Sequence, residues 1–195
     1  VHLYGQMCDM NAINEIADRY NLYVIEDCAH CVEGQRDEIK PGQLGTAGVF
    51  SFYATKNITS GEGGAIVTND EKLYDNLLKY RLHGMSKGVA ERHTEKYQHW
   101  DMEFLGYKCN MSDIQASLLV PQLKTIEKNL QARENICKQF EKAFSDLNGV
   151  KFPKVLKRTK HARHLFTVWV DSSKRDEIIY KLQSANIGVA VNYRA

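Results

Sequence analysis

The stretch GVFSFYATKNITSGEGGAIVTND, Gly48 to Asp70, constrains this chain more than any other. Two apolar, aromatic and β-branched runs flank a glycine-rich turn, and the first run ends in Lys56. Such runs read as strands. So short a connection joins antiparallel neighbours, because a parallel pair needs a longer crossover. A lysine where a strand meets a turn is either a solvated strand end or an amine held for chemistry. The residue alone leaves both readings open, with the solvated one commoner.

The surrounding pattern is α/β. Asp9 can cap a helix whose apolar positions Ile13, Ile16, Ala17 and Tyr20 fall at helical spacing. LYVIED then reads as a short buried parallel strand with Asp27 at its C-terminal edge, where α/β sheets bind ligands. Residues 33–46 read as a loop, and a helix is predicted from about Asp70 to Leu82. Residues 83–106 are polar with little periodicity. A long helix, capped by Ser112, is predicted over 112–147 with a kink at Pro121 and an apolar stripe including Ile126, Leu130, Phe140 and Phe144. From residue 164 the pattern becomes strand (HLFTVWV), helix (SKRDEIIYKLQSA) and strand (IGVAVNY), the start of a smaller α/β unit. Ser173 and Asp176 resemble a capping box there.

Composition limits the function classes. With 26 basic and 24 acidic residues the net charge is +2, and no dense basic block marks a nucleic-acid partner. No apolar run approaches a membrane span. Five scattered cysteines fit a reducing cytosol, so a cytoplasmic location is expected. Cys28 and Cys31 form a C-x-x-C around His30, but no second ligand pair completes a metal site, and buried free cysteine is the simpler reading. The opening VHLYGQ lacks an initiator Met and the chain stops just after a strand-like run, so both ends read as cut.

Asp27 and Lys56 each have an ordinary explanation, but together they meet one chemical requirement. Pyridoxal phosphate needs a lysine for its aldehyde and a carboxylate at its ring nitrogen. Ser51 could donate to its phosphate, and Gly61, Gly63 and Gly64 allow a sharp turn beside it. At this point VIEDCAHCVEG, FSFYATKNITSGEGGAIVTND, RLHGMSK and GYKCNMSDIQASL resemble, in order, successive motifs of the DegT/DnrJ/StrS family. The resemblance covers essentially all 195 residues and roughly the middle half of a typical member.

It implies an aspartate-aminotransferase-like fold (fold type I), with residues 1–148 in the cofactor-binding large domain and 149–195 beginning a small C-terminal domain. It places Lys56 at the Schiff-base position, Asp27 at the pyridine nitrogen, His30 beside the cofactor ring and Ser51 at the phosphate. Asn110 matches an asparagine that reaches the phosphate from the other subunit, which implies a homodimer. The implied reaction is ping-pong transfer of an amino group from an amino acid, most often glutamate, to a nucleotide-linked keto sugar. Surface polysaccharide synthesis is the usual destination. A cofactor-binding sensor without turnover, and an enzyme acting on a cyclitol ketone, are the alternatives. A branch of the family that removes a hydroxyl has histidine at the lysine position, whereas this chain has Lys56. His83 is either a substrate contact or a turn residue. His161 and His164 are assigned to the small domain's first strand and its approach, and Trp100 and Trp169 to packing. KVLKRTKHARH is either an attractant for a nucleotide diphosphate or a solvated linker.

Overall fold

The computed structural model describes residues 1–86 and 99–191. Asp9 opens α1 (Met10–Tyr20) by accepting from the Ala12 N–H at 3.2 Å, which satisfies one donor that a helix start leaves open. Of the expected apolar stripe only Ala17 is buried, while Ile13, Ile16 and Tyr20 are exposed.

Strand β1 (Ile25–Asp27) is followed by the short β2 (Gln35–Arg36), β3 (Ala47–Ser51) and β4 (Gly64–Val67). The sheet order is β1-β3-β4. β1 runs parallel to β3, with Asp27 opposite Val49; β3 and β4 are antiparallel, with Ser51 opposite Gly64. The short connection thus forms the hairpin its length requires. β1 departs from the apolar strand expected of LYVIED: Ile25 is exposed, and the residue turned inward is Glu26.

Asp70 caps α2 (Glu71–Tyr80) by accepting from the Leu73 N–H at 3.0 Å. The long helix begins where Ser112 predicts, through a capping box in which Ser112 and Gln115 satisfy each other's backbone N–H groups. It is two helices, α3 (Asp113–Ser117) and α4 (Leu119–Phe144), broken at Leu118. Pro121 accounts for the break. It has no N–H for the Ser117 carbonyl, and its ring crowds that carbonyl. β5 (Thr159–Lys160) pairs antiparallel with β2, and α5 (Arg175–Ser184) follows.

The described residues form two compact units. The first, Val1–Arg133 with Val155–Leu165, has a core of Met7, Met10, Cys31 and Ala162, with Cys8, Val24 and Leu44 packed against it. The second comprises Glu134–Lys154 and the described residues from Phe166 on. It gathers the rings of Phe140, Phe144 and Phe152 around Phe166, at centroid distances of 5.3–6.1 Å.

Several expectations are corrected in this region. HLFTVWV forms no ladder; one bridge joins Trp169 to Lys151, and Trp169 is exposed instead of packed. The described part of IGVAVNY is also without a strand, its last residues lying outside the described ones. Ser173 and Asp176 do not make a capping box. The Ser173 hydroxyl donates to Asp171, Asp176 accepts from Arg175, and the helix cap is Lys174 with no side-chain bond.

Candidate active site

Parallel pairing of β1 and β3 brings their C-terminal ends to one edge, so Asp27 and Ser51 emerge together. Beyond Ser51 the chain turns at once. The Lys56 N–H donates to the Tyr53 carbonyl at 2.9 Å, and the Ser60 N–H to that of Phe52 at 3.0 Å. Gln122 on α4 clamps the turn, accepting from the Thr59 N–H at 3.0 Å and donating to the Thr59 carbonyl at 2.7 Å. Gly63, at φ 141°, completes the turn where a Cβ would stand 2.4 Å from the Met111 methyl. Lys56 is half-buried, and no hydrogen bond or ion pair among the described residues holds its Nζ.

Asp27 is exposed and accepts from the Ala29 N–H at 3.0 Å through one oxygen. That contact opens the turn carrying His30. Burial and the nearby Lys56 charge lower the His30 pKa, against the opposing pull of Asp27. Its Nδ1 accepts the Tyr4 N–H at 3.4 Å, so a neutral ring carries its proton on Nε2. His164 stacks on it at 4.3 Å, and both His161 and His164 lie in the first compact unit. Burial, then His30, Lys56 and Arg133, push the His164 pKa down to about 4.

Lys56, Asp27 and His30 therefore form one cluster, with Ser51 on the same edge. Asn110 lies elsewhere in this chain. It borders a groove lined by Phe50, Ile66, Tyr74, Tyr107 and Met111, among others, but by none of those four residues. His83 sits in a turn at φ 59°. In KVLKRTKHARH, Arg158 pairs with Asp37 and Lys160 with Glu127, both at 2.7 Å, so two of its cations are already engaged. Lys87, the end of RLHGMSK, lies outside the described residues.

Two sets of residues that the pattern did not single out support the cluster. Glu26, 2% exposed, accepts from the N–H groups of Gly42, Leu44 and Gly45 at 2.9, 2.9 and 2.5 Å and from His2 Nε2 at 2.8 Å. Burial alone would raise its pKa, but these four donors hold it at about 2. Glu26 thereby fixes the strand end that bears Asp27. The second set is Glu33, Asn57, Arg133 and His164, which ties the residue after Lys56 to α4. Neither set was legible, because a lone glutamate in a strand or loop has no local signature. Cys28 and Cys31 are buried and free. Burial pushes the Cys31 thiol up to about 12, so it is no nucleophile. His2, Glu26 and Cys28 lie close enough to share an ion, but the Glu26 oxygens and His2 Nε2 are spent on hydrogen bonds.

The model of the DegT/DnrJ/EryC1/StrS aminotransferase family matches residues 1–195. The chain belongs to that family. It is 40% identical over 199 residues to the spore coat polysaccharide biosynthesis protein SpsC of Bacillus subtilis, covering 99% of this chain and 51% of that protein. To the GDP-perosamine synthase of Caulobacter vibrioides it is 37% identical over 191 residues, covering 96% and 49%. The fold is that of solved fold type I aminotransferases. Helicobacter pylori PseC, an aminotransferase of pseudoaminic acid biosynthesis, aligns with a TM-score of 0.90 at 26% identity, over 99% of this chain and 51% of that one. Spr1654 of Streptococcus pneumoniae, solved in PLP and PMP forms, aligns at 0.87 and 0.90, both at 25% identity. Its PLP form is covered over 53% and its PMP form over 54%, by 98% and 99% of this chain. The chain thus spans about half the length of the family relatives it matches.

The residues present fit pyridoxal phosphate. Lys56 offers an uncommitted amine, and Asp27 keeps one oxygen without a donor among the described residues. The Ser51 oxygen accepts the Tyr53 N–H at 3.3 Å, which leaves its own proton free to donate to a phosphate.

Proposed function

We propose that this chain carries the catalytic lysine of a pyridoxal-phosphate-dependent aminotransferase that moves an amino group from an amino acid, glutamate first, to a nucleotide-linked keto sugar. The convergence of Lys56, uncommitted among the described residues, with Asp27 and a neutral His30 at and just beyond two neighbouring strand ends carries this reading, and family membership supports it. When bound, pyridoxal phosphate supplies an aldehyde for the lysine and an electron-accepting ring. Lys56 anchors it. The Lys56 amine would take the proton from the donor's α-carbon and, in the reverse half-reaction, return one to the sugar carbon that receives the amino group. The Asp27 carboxylate holds a proton on the ring nitrogen, and Ser51 donates to the phosphate. Asn110 of a second copy completes the phosphate contact, so the working unit is a cytoplasmic homodimer.

The test uses the full-length polypeptide loaded with pyridoxal phosphate. Glutamate should bleach its yellow absorption and yield 2-oxoglutarate, and a panel of 3-keto and 4-keto nucleotide sugars should restore the colour and yield an amino sugar. Bleaching restored only by a cyclitol ketone would replace the sugar assignment. Stable colour with every amino acid would favour a sensor.

A further inference from the structure

The Lys56 cluster has a second layer whose hydrogen bonds define its protonation. Asn57 follows Lys56. Its amide nitrogen donates to Glu33 at 2.7 Å and to the Ala162 carbonyl at 3.0 Å, which leaves its oxygen facing His164 Nδ1 at 2.9 Å. That oxygen can only accept, so His164 must carry its proton on Nδ1. Glu33 is buried and also ion-paired to Arg133, so it anchors the chain from the far end. The His164 ring covers one face of His30, with 27° between the planes, and Tyr4 stacks on it more distantly at 6.2 Å. The His164 N–H donates to the Tyr4 carbonyl at 3.2 Å, closing the arrangement from the backbone.

We propose that His164 is a positioning residue for His30: locked by Asn57, its ring holds His30 beside Lys56 as a neutral imidazole that presents its Nε2–H to an oxygen acceptor. The two histidines are therefore opposite tautomers, His164 protonated on Nδ1 and His30 on Nε2. The charged and titratable groups facing the pair are Lys56, Asp27, Arg133, Glu33 and the Tyr4 phenol. Both cations disfavour a charged His164, and its acceptor Asn57 cannot compensate as a carboxylate would. The inference rests on the proposed aminotransferase function only for the identity of what His30 meets.

The experiment is long-range proton–nitrogen NMR of the histidine rings in the unliganded full-length polypeptide, across pH 4–9. Wild type should show His164 neutral at pH 7 with Nδ1–H, and His30 neutral with Nε2–H. Asn57→Ala should abolish the fixed Nδ1–H signature of His164. His164→Asn keeps an amide donor but removes the ring, so the His30 midpoint should rise toward its ordinary value. A wild-type His164 that is protonated at pH 7 or carries its proton on Nε2 overturns the proposal, and this measurement needs no variant to fold. An unchanged His30 titration in both variants overturns it equally. These signals decide the question without cofactor, whereas failure of the aminotransferase reading would show as missing amine transfer in wild type.

Discussion

Acid should expose the worth of Glu26. Its carboxylate takes four hydrogen bonds in the folded chain and lies at about 2, against 4.5 for the free group. That difference corresponds to about 3 kcal/mol of folding stability at neutral pH. The sign follows from the lowered pKa. The contribution is complete above the unfolded value near 4.5 and is lost as pH falls through about 2. Glu26→Gln removes the charge with little change of shape but turns an amide hydrogen toward N–H donors. Urea unfolding of the full-length polypeptide at steps from pH 6.5 to 2.5 should find wild type more stable than the variant by ~3 kcal/mol at the top. The gap should narrow steadily below about pH 4.5. Carboxylates away from this cluster titrate equally in both proteins, so the difference reports Glu26 together with its partner His2. A gap independent of pH, or none, would refute the claim that an ionised Glu26 anchors β1.

Gly63→Ala should destabilise the chain by about 1–3 kcal/mol, because φ is 141° and the added methyl meets Met111; the urea midpoint checks this. Asp27→Asn should leave cofactor binding largely intact while slowing glutamate-dependent bleaching at least a hundredfold, about 3 kcal/mol in the barrier. Normal bleaching would remove Asp27 from its role. If Asn110 acts across a dimer, Lys56→Ala and Asn110→Ala should each be inactive, yet on subunit exchange regain about a quarter of wild-type activity, because only the mixed dimers hold one intact site. No recovery would place Asn110 outside the partner's site.

How much of this was legible depends on distance along the chain. The β3–β4 hairpin, the caps at Asp9 and Ser112, and the disturbance at Pro121 are written in neighbouring residues, and the structure bears each out. HLFTVWV failed because strand propensity becomes a strand only where a partner presents a free edge, and Trp169 finds a single bridge. Asp27 and Lys56 could be matched because both end runs with strand character. His164 could not, because Asn57 lies 107 residues away and no local pattern predicts that hydrogen bond. Glu26 carries no local mark for the same reason: its four donors come from a loop and the chain's second residue.

Trapping of the cofactor on its lysine tests the central claim most directly. The full-length polypeptide is loaded with pyridoxal phosphate, reduced with borohydride, digested and read by mass spectrometry. The account predicts one stable adduct, on the peptide containing Lys56, and none in Lys56→Ala. An adduct on another lysine, or undiminished labelling of the variant, would contradict it.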